Sequence, residues 1–174
     1  MNPVKILTDS MASLTKALID KYNLAIIPEY VVFDEKSYLD GIDITEDKMY
    51  KLVEEKKKLP KTSGATPLNF INAFKPWIDQ GYDIVYISMS SGFSSTVQNA
   101  RIASKQFTEG RVYIIDSRNL SSGIGLLALQ AAEYSMEGMD AKTIYEEILK
   151  LVPRVRTSFI IDTLKYLYMG KLSF

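Results

Sequence analysis

Ile84-Val85-Tyr86-Ile87 is a short, unbroken apolar run rich in β-formers, the pattern of a strand covered on both faces. It runs straight into Ser88–Thr96, where five serines, Gly92 and a threonine crowd into nine residues, and a helical pattern begins near Phe93 or Ser94. A strand that feeds a helix through such a loop is the elementary step of an α/β fold, and it strongly limits what the chain can become. It also brings backbone N–H groups and hydroxyls together at a positive helix end, a geometry that holds an anionic head group without any basic side chain.

The rest of the chain repeats the step. Val4–Leu7 reads as a first strand ending at Thr8-Asp9-Ser10, and Leu14–Tyr22 has helical spacing. Leu24–Phe33 reads as a strand pair or a bent strand, with Pro28 marking the edge or bend. Tyr38-Leu39-Asp40-Gly41 is turn-like, and Thr45 caps a helix carrying Met49, Leu52 and Val53. Lys61–Thr66 reads as a polar loop, and Thr66-Pro67 as the start of a helix running to Gln80-Gly81. After the serine loop come a helix to about Phe107, a strand at Arg111–Ile115, and helices at Gly123–Met136 and Ala141–Leu151. A last strand is expected at Arg156–Ile161, with a helical turn or two from Thr163 to Tyr168. This alternation predicts an α/β domain spanning residues 1–174, with a mostly parallel sheet and helices on both faces. Ligands of such folds sit outside the carboxyl ends of the strands, and Thr8-Asp9-Ser10, Ser88–Ser95 and Asp116-Ser117 all fall there.

Composition removes most chemistry from that edge. Histidine and cysteine are both absent, which excludes Ser-His and Cys-His dyads, a thiolate nucleophile and a thiolate zinc site. No acidic loop has calcium-ligand spacing, so no metal is expected. Lys+Arg and Asp+Glu are both 21, leaving no net field to attract nucleic acid or an anionic membrane. Lys56-Lys57-Lys58 reads as a solvated helix end. No apolar run is long enough to span a bilayer and the N-terminus lacks a signal-peptide pattern, so a cytoplasmic protein is expected.

Thr62 and Ser63 precede Gly64, which permits close backbone approach; turn and capping chemistry is the ordinary use of such residues. The serine loop is more specific, since one or two hydroxyls suffice for a cap. Asp9 and Asp116 read as general bases or, equally, as caps at strand ends.

Taken together, these residues resemble the DegV family of bacterial fatty-acid-binding proteins. The marks are Lys5-Ile6-Leu7-Thr8-Asp9-Ser10, Tyr38–Ile42 with Asp40, Lys61-Thr62-Ser63 with Pro67, Ile87–Ala100, Asp116-Ser117 with Gly123, and Asp162-Thr163-Leu164-Lys165-Tyr166-Leu167. They occur in consistent order over nearly the whole chain. The chain departs from the family pattern at Phe93-Ser94-Ser95-Thr96-Val97, where relatives usually carry Leu-Ser-Gly-Thr-Tyr, and at Gly170-Lys171, where they carry Gly-Gly-Arg.

The resemblance implies the N-terminal domain of that family, without the second, histidine-bearing domain. It implies a protein that holds one long-chain fatty acid and presents it to a separate fatty-acid kinase for phospholipid synthesis. The carboxylate-binding threonine falls on Thr62 and the serine on Ser94, with Ser63, Ser95, Ser10 and Ser117 in support. It implies no catalytic residue and no cofactor, the fatty acid being the ligand. Two rival readings remain at this point: a truncated remnant acting as an interaction module, and a serine-loop hydrolase or phosphate-handling enzyme. Self-association through an exposed apolar groove is a further expectation.

Overall fold

The computed structural model describes residues 2–169, in two compact units: Met1–Ile27 with Gly64–Thr157, and Pro28–Ser63 with Ser158–Phe174. In chain order the strands are β1 (Val4–Asp9), β2 (Ala25–Ile27), β3 (Tyr30–Phe33), β4 (Lys36–Leu39), β5 (Lys61–Ser63), β6 (Asp83–Ser88) and β7 (Val112–Asp116). The helices are α1 (Lys16–Lys21), α2 (Glu46–Lys56), α3 (Pro67–Asp79), α4 (Thr96–Ser104), α5 (Ser122–Met136), α6 (Ala141–Leu151) and α7 (Lys165–Met169).

The larger unit is a four-stranded sheet in the order β2-β1-β6-β7, with every neighbouring pair parallel. The apolar run of β6 is buried because its residues alternate between two cores. Ile84 and Tyr86 join Leu7, Phe70, Phe74, Ala100 and Ala103 under α3 and α4. Val85 and Ile87 join Ile6, Ile115, Ile124, Leu127, Ile144 and Ile148 under α5 and α6. All four of these β6 side chains are fully buried, each contributing roughly 1.5–3 kcal/mol of transfer free energy. The helices on both faces that the pattern predicts are therefore present.

Two crossovers set the functional edge. β1 passes through α1 to β2 on one side, and β6 passes through α4 to β7 on the other. Right-handed crossovers in opposite directions require opposite faces, and accordingly Leu14, Ile19 and Tyr22 pack on the α5/α6 core while α4 packs on the α3 core. The strand order thus reverses between β1 and β6, and the crevice at their carboxyl ends is the switch point where such sheets take ligands.

Local chemistry explains the helix starts. Thr66 Oγ1 accepts from Asn69 N at 3.3 Å while Asn69 Oδ1 accepts from Thr66 N at 2.9 Å, a capping box with Pro67 at the first helical position. Thr45 Oγ1 accepts from Lys48 N at 3.4 Å at the start of α2.

The smaller unit carries an antiparallel sheet in the order β4-β3-β5. Val31, Phe33, Tyr38 and Ile44 form its core, with Met49, Leu52 and Val53 of α2 packed against them. Lys56 and Lys58 sit at its surface, both reaching Asp34, at 2.8 and 3.5 Å.

Leu24–Phe33 breaks at Pro28 as expected, and its two strands belong to two separate sheets, because proline cannot donate to a continuing ladder. Three expectations need correction. Tyr38-Leu39, expected as turn, is the end of strand β4. Lys61–Ser63, expected as loop, is strand β5. Arg156–Ile161, expected as a strand, is not one: no described strand pairs with it and it is exposed, up to 98% at Ile160, so no ladder offsets the cost of extending it. Gly170-Lys171 lies outside the described residues.

Candidate carboxylate-binding edge

The carboxyl ends of β1, β6 and β7 are fastened to one another by polar contacts, buried between β1 and β6 and exposed at the end of β7. Thr8 Oγ1 donates to Ile87 O at 2.9 Å. Asp9, fully buried, accepts from Met89 N at 2.8 Å, Tyr86 Oη at 3.3 Å and Met11 N at 3.1 Å. Burial pushes the Asp9 carboxyl up to about 6, against the opposing pull of those three donors. At the end of β7, Asp116 accepts from Ser91 Oγ at 2.5 Å, Ser91 N at 3.2 Å and Arg118 N at 3.0 Å. Burial works to raise the Asp116 carboxyl, but the Ser91 and Arg118 hydrogen bonds and the Arg101 charge outweigh it and hold it below the usual carboxylate range.

The five serines of the loop take different parts. Ser88 is fully buried and its hydroxyl has no partner among the described residues. Ser90 organises a turn: its carbonyl accepts from Phe93 N at 3.0 Å and Ser94 N at 3.3 Å, and its Oγ accepts from Gly92 N at 3.2 Å. Those bonds delay the helix, which begins at Thr96 rather than at Phe93 or Ser94. Ser91 is tied to Asp116. Ser94, half-buried, accepts from Thr96 N at 3.2 Å and shares a 2.8 Å hydroxyl contact with Thr96. Ser95 is exposed and makes no side-chain cap bond to α4.

The first turn of α4 is thus only partly satisfied. Thr96 N is taken by Ser94 Oγ, but among the described residues none accepts from the N–H groups of Ser95, Val97 or Gln98, so the partial positive charge of the helix end is left beside the Ser94 and Ser95 hydroxyls. That arrangement can stabilise an oxyanion. The two carboxylates of this edge are both engaged, Asp9 by Met89, Tyr86 and Met11 and Asp116 by Ser91 and Arg118, and among the described residues no group of three or more acidic, histidine or cysteine side chains could hold a metal.

The remaining expected residues are placed as follows. Ser10 opens a 3-10 turn, Ser10–Ala12, at the end of β1 and is half-buried. Ser117 is fully buried, donating to Asn119 O at 3.3 Å and accepting from Asn119 N at 3.1 Å, so it shapes the loop into α5. Thr62 and Ser63 are exposed on edge strand β5 of the smaller unit, opposite Val31 and Tyr30 of β3. The larger unit therefore gathers Ser10, Ser94, Ser95 and Ser117 along one sheet edge, and the smaller unit holds Thr62 and Ser63 together. Sequence reasoning left the role of Asp116 open: its link to Ser91 spans 25 residues and carries no local signal.

This is an α/β protein whose parallel sheet carries the start of α4 at its switch point. A family model described as "Uncharacterised protein, DegV family" matches residues 3–170, and the chain belongs to the DegV family. A DegV domain-containing protein of Clostridium perfringens is 34% identical over 98% of this chain and 61% of the relative. One of Caldanaerobacter subterraneus is 35% identical over 98% of this chain and 60% of the relative. The chain thus spans about three-fifths of the length of these relatives. A fatty-acid-binding DegV family protein of Thermus thermophilus superposes with a TM-score of 0.84 at 27% identity, covering 98% of this chain and 60% of that one. A stearic-acid-binding protein of Eubacterium ventriosum does so with a TM-score of 0.74 at 27% identity, covering 83% and 52%.

Proposed function

We propose that this chain binds a long-chain fatty acid by its carboxylate, with Ser94 Oγ and the N–H groups of Ser95, Val97 and Gln98 as the donors of the larger unit and Thr62 Oγ1 as the carboxylate-binding candidate of the smaller unit. The observation that carries the reading is the partly satisfied first turn of α4: a 9-residue helix whose cap serine makes no side-chain cap bond and in which, with Thr96 N taken by Ser94 Oγ, no described residue accepts from the N–H groups of Ser95, Val97 or Gln98. A carboxylate accepts several hydrogen bonds, and neutral donors at a helix end stabilise it without a buried counter-charge. Ser95, Ser10 and Ser117 support the loops of the larger unit, and Ser63 adjoins Thr62 in the smaller one. The similarity to solved proteins described as binding fatty acids supports the same ligand.

The chain acts in this reading as a binding protein rather than an enzyme, presenting the acyl group to a fatty-acid kinase. Residues 1–174 correspond to the N-terminal domain of the longer relatives. Exposed apolar side chains such as Phe159 and Leu164 give self-association a surface.

The test is a titration of oleic acid into the chain and into a Thr62→Ala/Ser94→Ala variant. An affinity loss of about tenfold or more with the fold retained supports the reading; unchanged affinity refutes the assignment of these two residues.

A further inference from the structure

Asp116 differs from a simple turn-forming aspartate. A strand-end Asp that only shapes its own turn accepts from the N–H two residues on, as Asp116 does from Arg118 at 3.0 Å. Its other two bonds leave that turn and take both donors of one distant residue, Ser91 N and Ser91 Oγ. Fixing a backbone donor and a side-chain donor of the same residue sets both the path of the chain at Ser91 and its rotamer. Ser91 sits inside the turn closed on Ser90 O by Phe93 N and Ser94 N. Asp9 fixes the entry to that turn through Met89 N, and Asp116 fixes its outer corner.

We propose that Asp116 is a positioning residue for carboxylate recognition, acting through Ser91 to hold the Ser90–Ser94 turn so that Ser94 Oγ and the α4 amides point at one place. The proposal rests on the fatty-acid reading above. The charge of Asp116 serves the loop rather than the ligand: its hydrogen bonds run to Ser91 and Arg118, and Arg101 lies close enough to act on it electrostatically. Preorganised donors bind an anion more tightly than mobile ones because less ordering is needed at the moment of binding. A ligand with the same tail and no carboxylate gains little from that order.

The experiment titrates oleic acid and oleyl alcohol, which share a tail and differ in head group, into the full chain and its variants. For Asp116→Ala the expected result is a loss of about tenfold in oleic acid affinity with oleyl alcohol changed less than about twofold. Asp116→Asn, which keeps an acceptor for the N–H groups, recovers most of the loss. Ser91→Ala shows the same head-group signature more weakly, and adding it to Asp116→Ala costs nothing further, because the two residues act through one contact. Ser91 is exposed, so that variant keeps the test decisive if Asp116→Ala fails to fold. Equal losses for acid and alcohol, undiminished acid affinity, or additive losses overturn the proposal. If the unaltered chain binds neither ligand, the fatty-acid reading falls and this assignment falls with it, an outcome distinct from a normal unaltered chain with insensitive variants.

Discussion

Asp9 Oδ2 accepts a hydrogen bond from Met89 N at 2.8 Å, joining the carboxyl end of β1 to that of β6 at the point where the strand order reverses. The two residues are 80 apart in the chain. Through this bond a buried carboxylate fixes the root of the serine loop, and the start of α4 is presented from a rigid edge.

Asp9 makes stability depend on pH in a defined direction. Burial raises its folded-state carboxyl from 3.8 to about 6, so the folded chain holds this proton more tightly than the unfolded one. The contribution is fully present below the unfolded value and is lost as pH rises through about 6, a loss of roughly 2 kcal/mol between pH 4 and pH 7. Asp34, Asp116 and Asp140 are all held below the ordinary value, and their contributions disappear only as pH falls under about 4. Denaturant unfolding at intervals from pH 4.5 to 7, an interval chosen to isolate Asp9 at about that range, should show falling stability in the natural chain and a nearly flat profile for Asp9→Asn.

Tyr86→Phe removes one of the donors on the Asp9 carboxylate, the 3.3 Å bond from Tyr86 Oη. The ionised form loses support, so the midpoint of that pH dependence should move upward. Carboxyl titration followed by NMR checks this; an unmoved midpoint would mean that the bond does not act on Asp9.

Gly125 lies in α5 where the 3-10 turn after β1 crosses it, and a Cβ there would meet Ala12 O at 2.6 Å and a Leu14 methyl carbon at 3.1 Å. A backbone oxygen cannot step aside as a flexible side chain can. Gly125→Ala gains about 1 kcal/mol of helix propensity and loses more to overpacking, for a net destabilisation of about 1–2 kcal/mol. Thermal unfolding should register this as a drop of roughly 3–6 °C; a rise would show that the turn yields freely.

If the tail of the ligand is buried, affinity must grow with chain length. Each methylene removed from water contributes about 0.8 kcal/mol, close to a fourfold gain in affinity. Titrations with a series of saturated acids should climb at that slope until the apolar surface is filled, whereas a flat series would indicate recognition of the head group alone.

The central sheet was legible because both-face burial writes an unbroken apolar run at Ile84–Ile87, and the helix starts because Thr66-Pro67 and Thr45 are caps with a local mechanism. Beyond nearest neighbours the signal ended. Lys61–Ser63 is too short to show a period of two, and its pairing depends on β3, a strand far back in the sequence. Phe159-Ile160-Ile161 has the composition of a strand, but composition supplies no partner, and the described chain leaves it exposed. The same limit applies at the edge itself: the cluster of hydroxyls was visible at once, while the division of labour among them was set by Asp9 and Asp116 from distant strand ends.

The most direct test of fatty-acid binding is native mass spectrometry of the purified chain, followed by extraction of any retained ligand. The account predicts a species heavier than the 19.7 kDa chain by the mass of one long-chain fatty acid, lost on extraction and restored by adding oleic acid. A chain that stays at its bare mass after incubation with excess oleic acid would contradict it.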